Sequence, residues 1–197
     1  MSARRVSWNV GDLSRSGKAR RLEEIVELAR EDDRKVLIFS YFRQMLTDIA
    51  QFLGQDHCIG PINGSISPQD RQRMVDCFEA APAGTALVAQ IQAGGTGLNI
   101  QAASVAVLCE PQFKPSIENQ AISRAYRMGQ TRKVFVHRLL CTDTIDERIM
   151  QILANKQRIF DAFADRSVAA EQVDQAFSRE TMDQIVRDEL RKYAGAR

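Results

Sequence analysis

Along the chain, short apolar runs rich in β-branched residues alternate with longer stretches in which apolar positions return every three or four residues. The short runs predict strands at 35–40, 57–62, 85–90, 104–110 and 133–141. The longer stretches predict helices, several with explicit start signals. Residues 16–30 carry Leu22, Ile25, Val26 and Ala29 on one stripe and lead into the first strand. Ser67 stands as a cap, Pro68 suits the first helical turn and Asp70 complements the positive helix end, so 71–80 is expected to be helical. Thr144 with Glu147 three residues later spells a capping box, and Ile145, Ile149, Ile152, Phe160 and Phe163 recur behind it at helical spacing. A last stripe, Val173, Phe177, Val186 and Leu190, runs through 171–193 behind a polar linker at 165–167.

Strands alternating with amphipathic helices build a parallel sheet, because each crossover lays an apolar stripe on a sheet face. The expected fold is a three-layer α/β domain, its mainly parallel sheet flanked by helices and followed by a C-terminal helical extension. The expected organisation is a lead-in helix within 1–34, one lobe at 35–165 and the extension at 166–197.

Composition narrows this picture only modestly. At 197 residues, 44% hydrophobic and 26% charged, the chain falls in the ordinary globular range. A formal charge of +2 argues neither for nor against a polyanionic partner, so the distribution has to decide. It is uneven: 119–142 holds no acid but contains Arg124, Arg127, Arg132, Lys133 and Arg138, and a second cluster contains Arg15, Lys18, Arg20 and Arg21. The cysteines at 58, 77, 109 and 141 are far apart and three sit in apolar runs, which fits reduced, buried thiols and a cytosolic or nuclear compartment. No apolar run approaches a bilayer's thickness and the N-terminus lacks the core of a signal peptide, so neither secretion nor a membrane is expected. His57 and His137 have no metal-ligand spacing to other donors, and no metal site is assigned.

Two stretches carry candidate chemistry. Ala93-Gly94-Gly95-Thr96-Gly97-Leu98-Asn99 follows the third strand, and its glycines allow backbone amides to approach a phosphate or a neighbouring chain closely. A tight strand-to-helix turn has the same signature. Without Lys-Ser or Lys-Thr after the last glycine, it is not a Walker A loop. The second stretch, Gln120 to Gln130, ends a helix candidate and places Arg124 and Arg127 three apart, on one helix face. Two such arginines serve either a solvated surface or an anionic ligand.

The ordered set Ser16-Gly17-Lys18, Val36 to Phe42, Asn63-Gly64-Ser65, Ala93 to Asn99, Pro111 with Pro115, Gln120 to Gln130 and Thr144 to Ile149 resembles the Swi/Snf family of DNA-translocating ATPases. The resemblance spans about four-fifths of the chain, with the motifs in the family's order. It implies the second, C-terminal RecA-like motor lobe, with the glycine stretch as helicase motif V and Gln120 to Gln130 as motif VI. Arg124 and Arg127 would then be arginine fingers reaching ATP on the first lobe, with Gly95 and Gln120 lining the same nucleotide-facing surface. Ser40, Tyr41, Asn63, Gly64, Gln90, Gln92 and Gly94 would follow the backbone of double-stranded DNA. The implied partners are that DNA and an N-terminal RecA-like lobe holding most of the ATP and Mg2+. The chain alone should hydrolyse nothing, and the compartment would be the nucleus or a nucleoid-associated cytoplasm.

Departures from the family pattern are specific. Gln90, Ile91 and Gln92 stand where a hydroxyl and a cation are typical, Phe113-Lys114 replaces Trp-Asn, and Tyr126 replaces a frequent histidine. The run ending at Glu110 resembles a Walker B strand but has no phosphate loop upstream, and reads as a buried strand. Arg132, in the basic stretch but outside the motif, is expected to affect DNA affinity more than chemistry. Two readings compete: a non-catalytic nucleic-acid- or protein-binding module that kept the fold, and a self-sufficient nucleotide-binding domain, which the missing phosphate loop disfavours.

Overall fold

A computed structural model describes residues 13–92, 100–112, 114–125 and 132–163, with the side chains of Pro115 and of 156–163 excepted. The chain divides into two compact units, Met1–Leu140 and Cys141–Arg197.

The first unit is built on five parallel strands: β1 (Lys35–Ser40), β2 (Cys58–Ile62), β3 (Ala86–Gln90), β4 (Ala103–Leu108) and β5 (Phe135–Arg138), in the spatial order β2-β3-β1-β4-β5. The central strand β1 alternates strictly, with Val36 and Ile38 on one face and Leu37 and Phe39 on the other. Helices α1 (Gly17–Glu31) and α2 (Arg43–Leu53) cover the first face with Leu22, Ile25, Val26, Leu46 and Ile49. The second face is covered by α3 (Pro68–Ala80) and α4 (Pro115–Ile122) through Val75, Phe78 and Ala121. That is the three-layer α/β arrangement expected from the sequence. Each fully buried large side chain in it contributes about 1.5–3 kcal/mol by leaving water.

The Ser67 start signal acts as written: it caps α3 by accepting from Asp70 N at 3.1 Å. Ser16, expected as the first helical residue, instead caps α1 by accepting from Ala19 N at 3.3 Å. By contrast, α2 has no side-chain cap at Phe42, and its sequence carries no start signal. The stretch expected as a strand over 133–141 pairs only at Phe135–Arg138. β5 is an edge strand, and the Lys133 carbonyl just before it accepts from the Arg34 side chain at 3.1 Å. Since α1 contributes to the same core as β1, the lead-in segment is an integral part of this unit.

In the second unit, α5 (Ile145–Phe163) begins with a variant of the predicted capping box. Thr144 Oγ1 accepts from Asp146 N at 3.3 Å, while Glu147 reaches back to Asp143 N at 3.0 Å and Asp146 to Cys141 N at 3.1 Å. Two carboxylates thus occupy the positive end of the helix. The proposed helix at 171–193 lies outside the described residues.

Candidate nucleic-acid and nucleotide interface

In a parallel sheet every strand delivers its following loop to the same edge, which is where ligands of such folds bind. Here the C-terminal edge, the exit rim, gathers the ends of β1, β2 and β3 with Ser40, Tyr41, Asn63, Gly64, Gln90 and Gln92.

A carboxylate organises this rim. Glu110, just past β4, accepts from Ser40 Oγ at 2.9 Å and from Tyr41 N at 3.2 Å. Ser40 Oγ in turn accepts from Phe42 N at 3.1 Å. Ser40, expected on the DNA track, is therefore turned inward at 1% exposure, and its hydroxyl shapes the exit of β1. Its neighbours turn outward: Tyr41 and Phe42 are 46% and 56% exposed, their rings in an edge-on contact at 5.4 Å. Gln90 donates to the Tyr41 carbonyl at 3.2 Å, so this amide joins the ends of β3 and β1, whereas Gln92 is exposed. The reading of Glu110 as a mere strand end missed this role, for which the sequence holds no signal.

The turn after β2 is fixed from two sides. Asn63 Oδ1 accepts from Ser65 N at 2.9 Å and Ser65 Oγ at 2.6 Å. Arg43, at the start of α2, donates to Ser65 Oγ at 2.7 Å and Asn63 Oδ1 at 3.4 Å. Arg71 on α3 donates to the carbonyls of Ile66 at 2.9 Å and Gly64 at 3.4 Å. Gly64 is exposed, and a methyl group added there would meet nothing within 4 Å. Packing therefore does not require glycine at this position.

Two further polar groups brace the same rim. Lys18, from the Ser16-Gly17-Lys18 motif, is 4% exposed and donates to the Cys109 carbonyl at 3.0 Å. Glu118, in the first turn of α4, accepts from Gln112 N at 3.1 Å and pairs with Arg138 at 2.7 Å.

The Gln120 to Gln130 stretch is described in part. Arg124 lies two residues beyond the end of α4, in a turn whose backbone binds Ile100: Ile100 N donates to Arg124 O at 3.3 Å. The loop that begins as the glycine stretch is thereby anchored at its far end to the motif VI segment. Arg124 is 5% exposed, whereas Gln120 is exposed. Ile100 lies three residues before the start of β4. Gly94, Gly95 and Arg127 lie outside the described residues.

At the opposite edge, where strands begin, the basic residues are already engaged. Arg132, expected to affect DNA affinity, binds the Asp33 carbonyl and pairs with its carboxylate at 3.3 Å. Arg34 reaches Ser104 at 3.2 Å, and Lys35 donates to the Phe78 and Glu79 carbonyls at 3.0 and 2.7 Å. A recess of about 520 Å3 opens there among these groups.

All four cysteines are free. Cys109 and Cys141 are buried, Cys58 is half-buried, and Cys77, on α3, is exposed. Burial pushes the Cys58 thiol up to about 12 and Cys109 well above its ordinary value, so the folded state favours the neutral thiol at both. Among the described residues no group of three or more His, Cys, Asp or Glu is arranged to hold a metal ion, and no helix is long and apolar enough to cross a membrane.

A five-stranded parallel sheet with helices on both faces and motif segments at its exits defines a RecA-like lobe of helicase type. The chain belongs to the helicase conserved C-terminal domain family, whose model matches residues 17–129. It is 37% identical over 149 residues to YwqA of Bacillus subtilis, which carries a provisional ATP-dependent helicase/translocase name, covering 75% of this chain and 16% of that protein. It is 32% identical over 148 residues to the chromatin-remodeling ATPase INO80 of Lodderomyces elongisporus, covering 75% of this chain and 9% of that one. Among solved structures it resembles the C-terminal part of the Fun30 ATPase domain (TM-score 0.66, 32% identity, 70% of this chain and 45% of that one). It also resembles the Sulfolobus solfataricus SWI2/SNF2 ATPase core domain (TM-score 0.62, 29% identity, 82% and 33%). The Swi/Snf resemblance carried by the motifs is thus borne out. The chain spans less than a fifth of the length of these two curated relatives.

Proposed function

We propose that this lobe is the second half of an ATP-dependent motor that moves along double-stranded DNA. In this reading it closes on a nucleotide held by an N-terminal RecA-like lobe and tracks one DNA strand along its exit rim. The observation that carries the reading is the convergence of the β1, β2 and β3 exits on one edge, with exposed Tyr41, Gly64 and Gln92 and an arginine bound to the turn. Asn63, Gln90 and Gly94 complete the proposed track, and Ser40 acts by holding Tyr41 outward. Arg124 and Arg127 are the proposed arginine fingers, with Gly95 and Gln120 beside them on the nucleotide side. Phosphoryl transfer spreads negative charge over the transferring oxygens, and a guanidinium supplies fixed, forked donors to it. ATP and Mg2+ would be held mainly by the first lobe, because this chain encodes no phosphate loop; alone, it is expected to show no DNA-stimulated ATPase activity. A nuclear or nucleoid-associated location follows from the same reading.

In a motor joining this lobe to its first lobe, Arg127→Ala should leave ATP binding intact and lower turnover by about three to five orders of magnitude. Arg124 is buried, so its test is Arg124→Lys, which keeps charge and length but removes the fork. Parent-like turnover at saturating DNA in both variants would rule out the finger assignment. The buried side chain of Arg124 and the internal bond of Gln90 favour one alternative, a non-catalytic binding module on the same fold. Parent-like turnover would leave that as the better account.

A further inference from the structure

Arg43, at the exit rim, has surroundings that differ from those of most arginines whose partners are described. Arg21, Arg30, Arg34, Arg73, Arg132 and Arg138 each have a carboxylate oxygen between 2.7 and 3.7 Å. Arg43 is also held in place, but by neutral oxygens: its Nη2 donates to Ser65 Oγ and Asn63 Oδ1. No carboxylate pairs with it among the described residues. A guanidinium carries five N–H donors, so Nε and Nη1 keep theirs for another acceptor. An arginine fixed by neutral groups retains its full charge and has already lost much of the side-chain freedom that binding an anion would otherwise cost.

The location works against the stability of the helix. Arg43 is the first residue of α2, and the first turn of α2 contains no acid. A cation at the positive end of a helix dipole is unfavourable. The same placement reinforces positive potential at the rim. The neighbouring turn leaves space for a close approach, since Gly64 is exposed and nothing lies within 4 Å of where its side chain would begin. Asn63 Oδ1 already accepts from the Ser65 amide, the Ser65 hydroxyl and Arg43.

We infer that Arg43 is a contact to a DNA backbone phosphate, held ready by the Asn63-Gly64-Ser65 turn, and that Asn63 is a positioning residue that acts through Arg43. This rests on the proposed DNA-tracking role of the rim. It adds a residue outside the set drawn from the motifs and gives Asn63 a different task.

The test is binding of the 197-residue chain to a fluorescent double-stranded oligonucleotide across a series of potassium chloride concentrations, with melting followed in parallel. One phosphate contact accounts for about one unit of slope in the plot of log affinity against log salt. Arg43→Ala and Arg43→Gln should each lose about one unit of that slope while melting at the parent's temperature or slightly above. Arg43→Lys keeps the charge and should keep the slope, with affinity lowered a few-fold by loss of the fixed fork. An unchanged slope in Arg43→Ala overturns the inference and leaves the DNA-tracking reading standing. An equal loss in Arg43→Lys also overturns it, by showing that the turn geometry and not the charge matters. If the parent chain binds no duplex at low salt, both the inference and the DNA reading of this rim fail together.

Discussion

The two edges of the sheet use the same residue types in opposite ways. At the entry edge, acids neutralise bases: exposed Asp33 takes Arg132 and exposed Asp32 approaches Arg34 at 3.7 Å. At the exit rim the acids turn inward. Glu110 binds a buried hydroxyl and a backbone amide, and Glu118 binds another amide and Arg138. Arg43 is left holding a neutral turn on the surface. Positive charge in a sequence is therefore not the same as charge available to a ligand. What matters is whether a carboxylate already faces it, and among the described residues Arg43 at the exit rim is exposed, held by neutral oxygens and paired with no carboxylate.

The contrast can be broken most forcefully at its scaffold. Glu118→Ala should strand the Gln112 amide and release Arg138, costing about 1–3 kcal/mol in denaturant unfolding. The upper figure requires full burial of both partners, and Arg138 at 38% side-chain exposure moves the expectation toward the lower one. No measurable loss would mean that the exit rim is no better braced than the entry edge. A smaller effect, about 1 kcal/mol, is expected for Glu110→Gln, which can still accept one bond of the two. Faster amide exchange at Tyr41 and Phe42 would locate that loss in the β1 exit.

The field at the exit rim can be sharpened with pH. Burial, and secondarily the positive charge of Arg21, holds His137 below the usual imidazole range. The folded state thus prefers the neutral ring. Its contribution is complete above about pH 6.5 and declines as pH falls below that value, because the unfolded chain takes up the proton more readily. His137→Gln should flatten the fall of Tm in mildly acidic buffer. An unchanged profile would indicate that the ring is freely solvated.

The smallest effect is expected at the entry edge. Arg132→Ala should change stability by less than about half a kcal/mol, because the ion pair is exposed. It should also leave the salt dependence of duplex binding unchanged, in contrast to Arg43→Ala. A slope loss in Arg132→Ala would restore the basic stretch, as read from the sequence, to the DNA side.

Hydrophobic periodicity and capping chemistry are local properties, and the sequence by itself determined what depends on them: the β1 limits at Lys35 and Ser40, the cap at Ser67, and the three-layer α/β class. The motif order likewise marked out the family. Helix α2 was less legible, because its start lacks a capping side chain and tertiary packing of Met45, Leu46 and Ile49 sustains it instead. Polar partnership across the fold was decided only by the tertiary structure. Ser40 meets Glu110 and Arg34 meets Ser104 across 70 residues, and Arg132 meets Asp33 across 99. Such pairs leave no periodic trace, since a hydrogen bond depends on where two side chains meet in space and not on their spacing along the chain. For that reason the sequence suggested Ser40 and Arg132 for the DNA side and passed over Arg43, whereas the folded sheet turned the first two toward internal partners and left the third at the surface, held by Asn63 and Ser65.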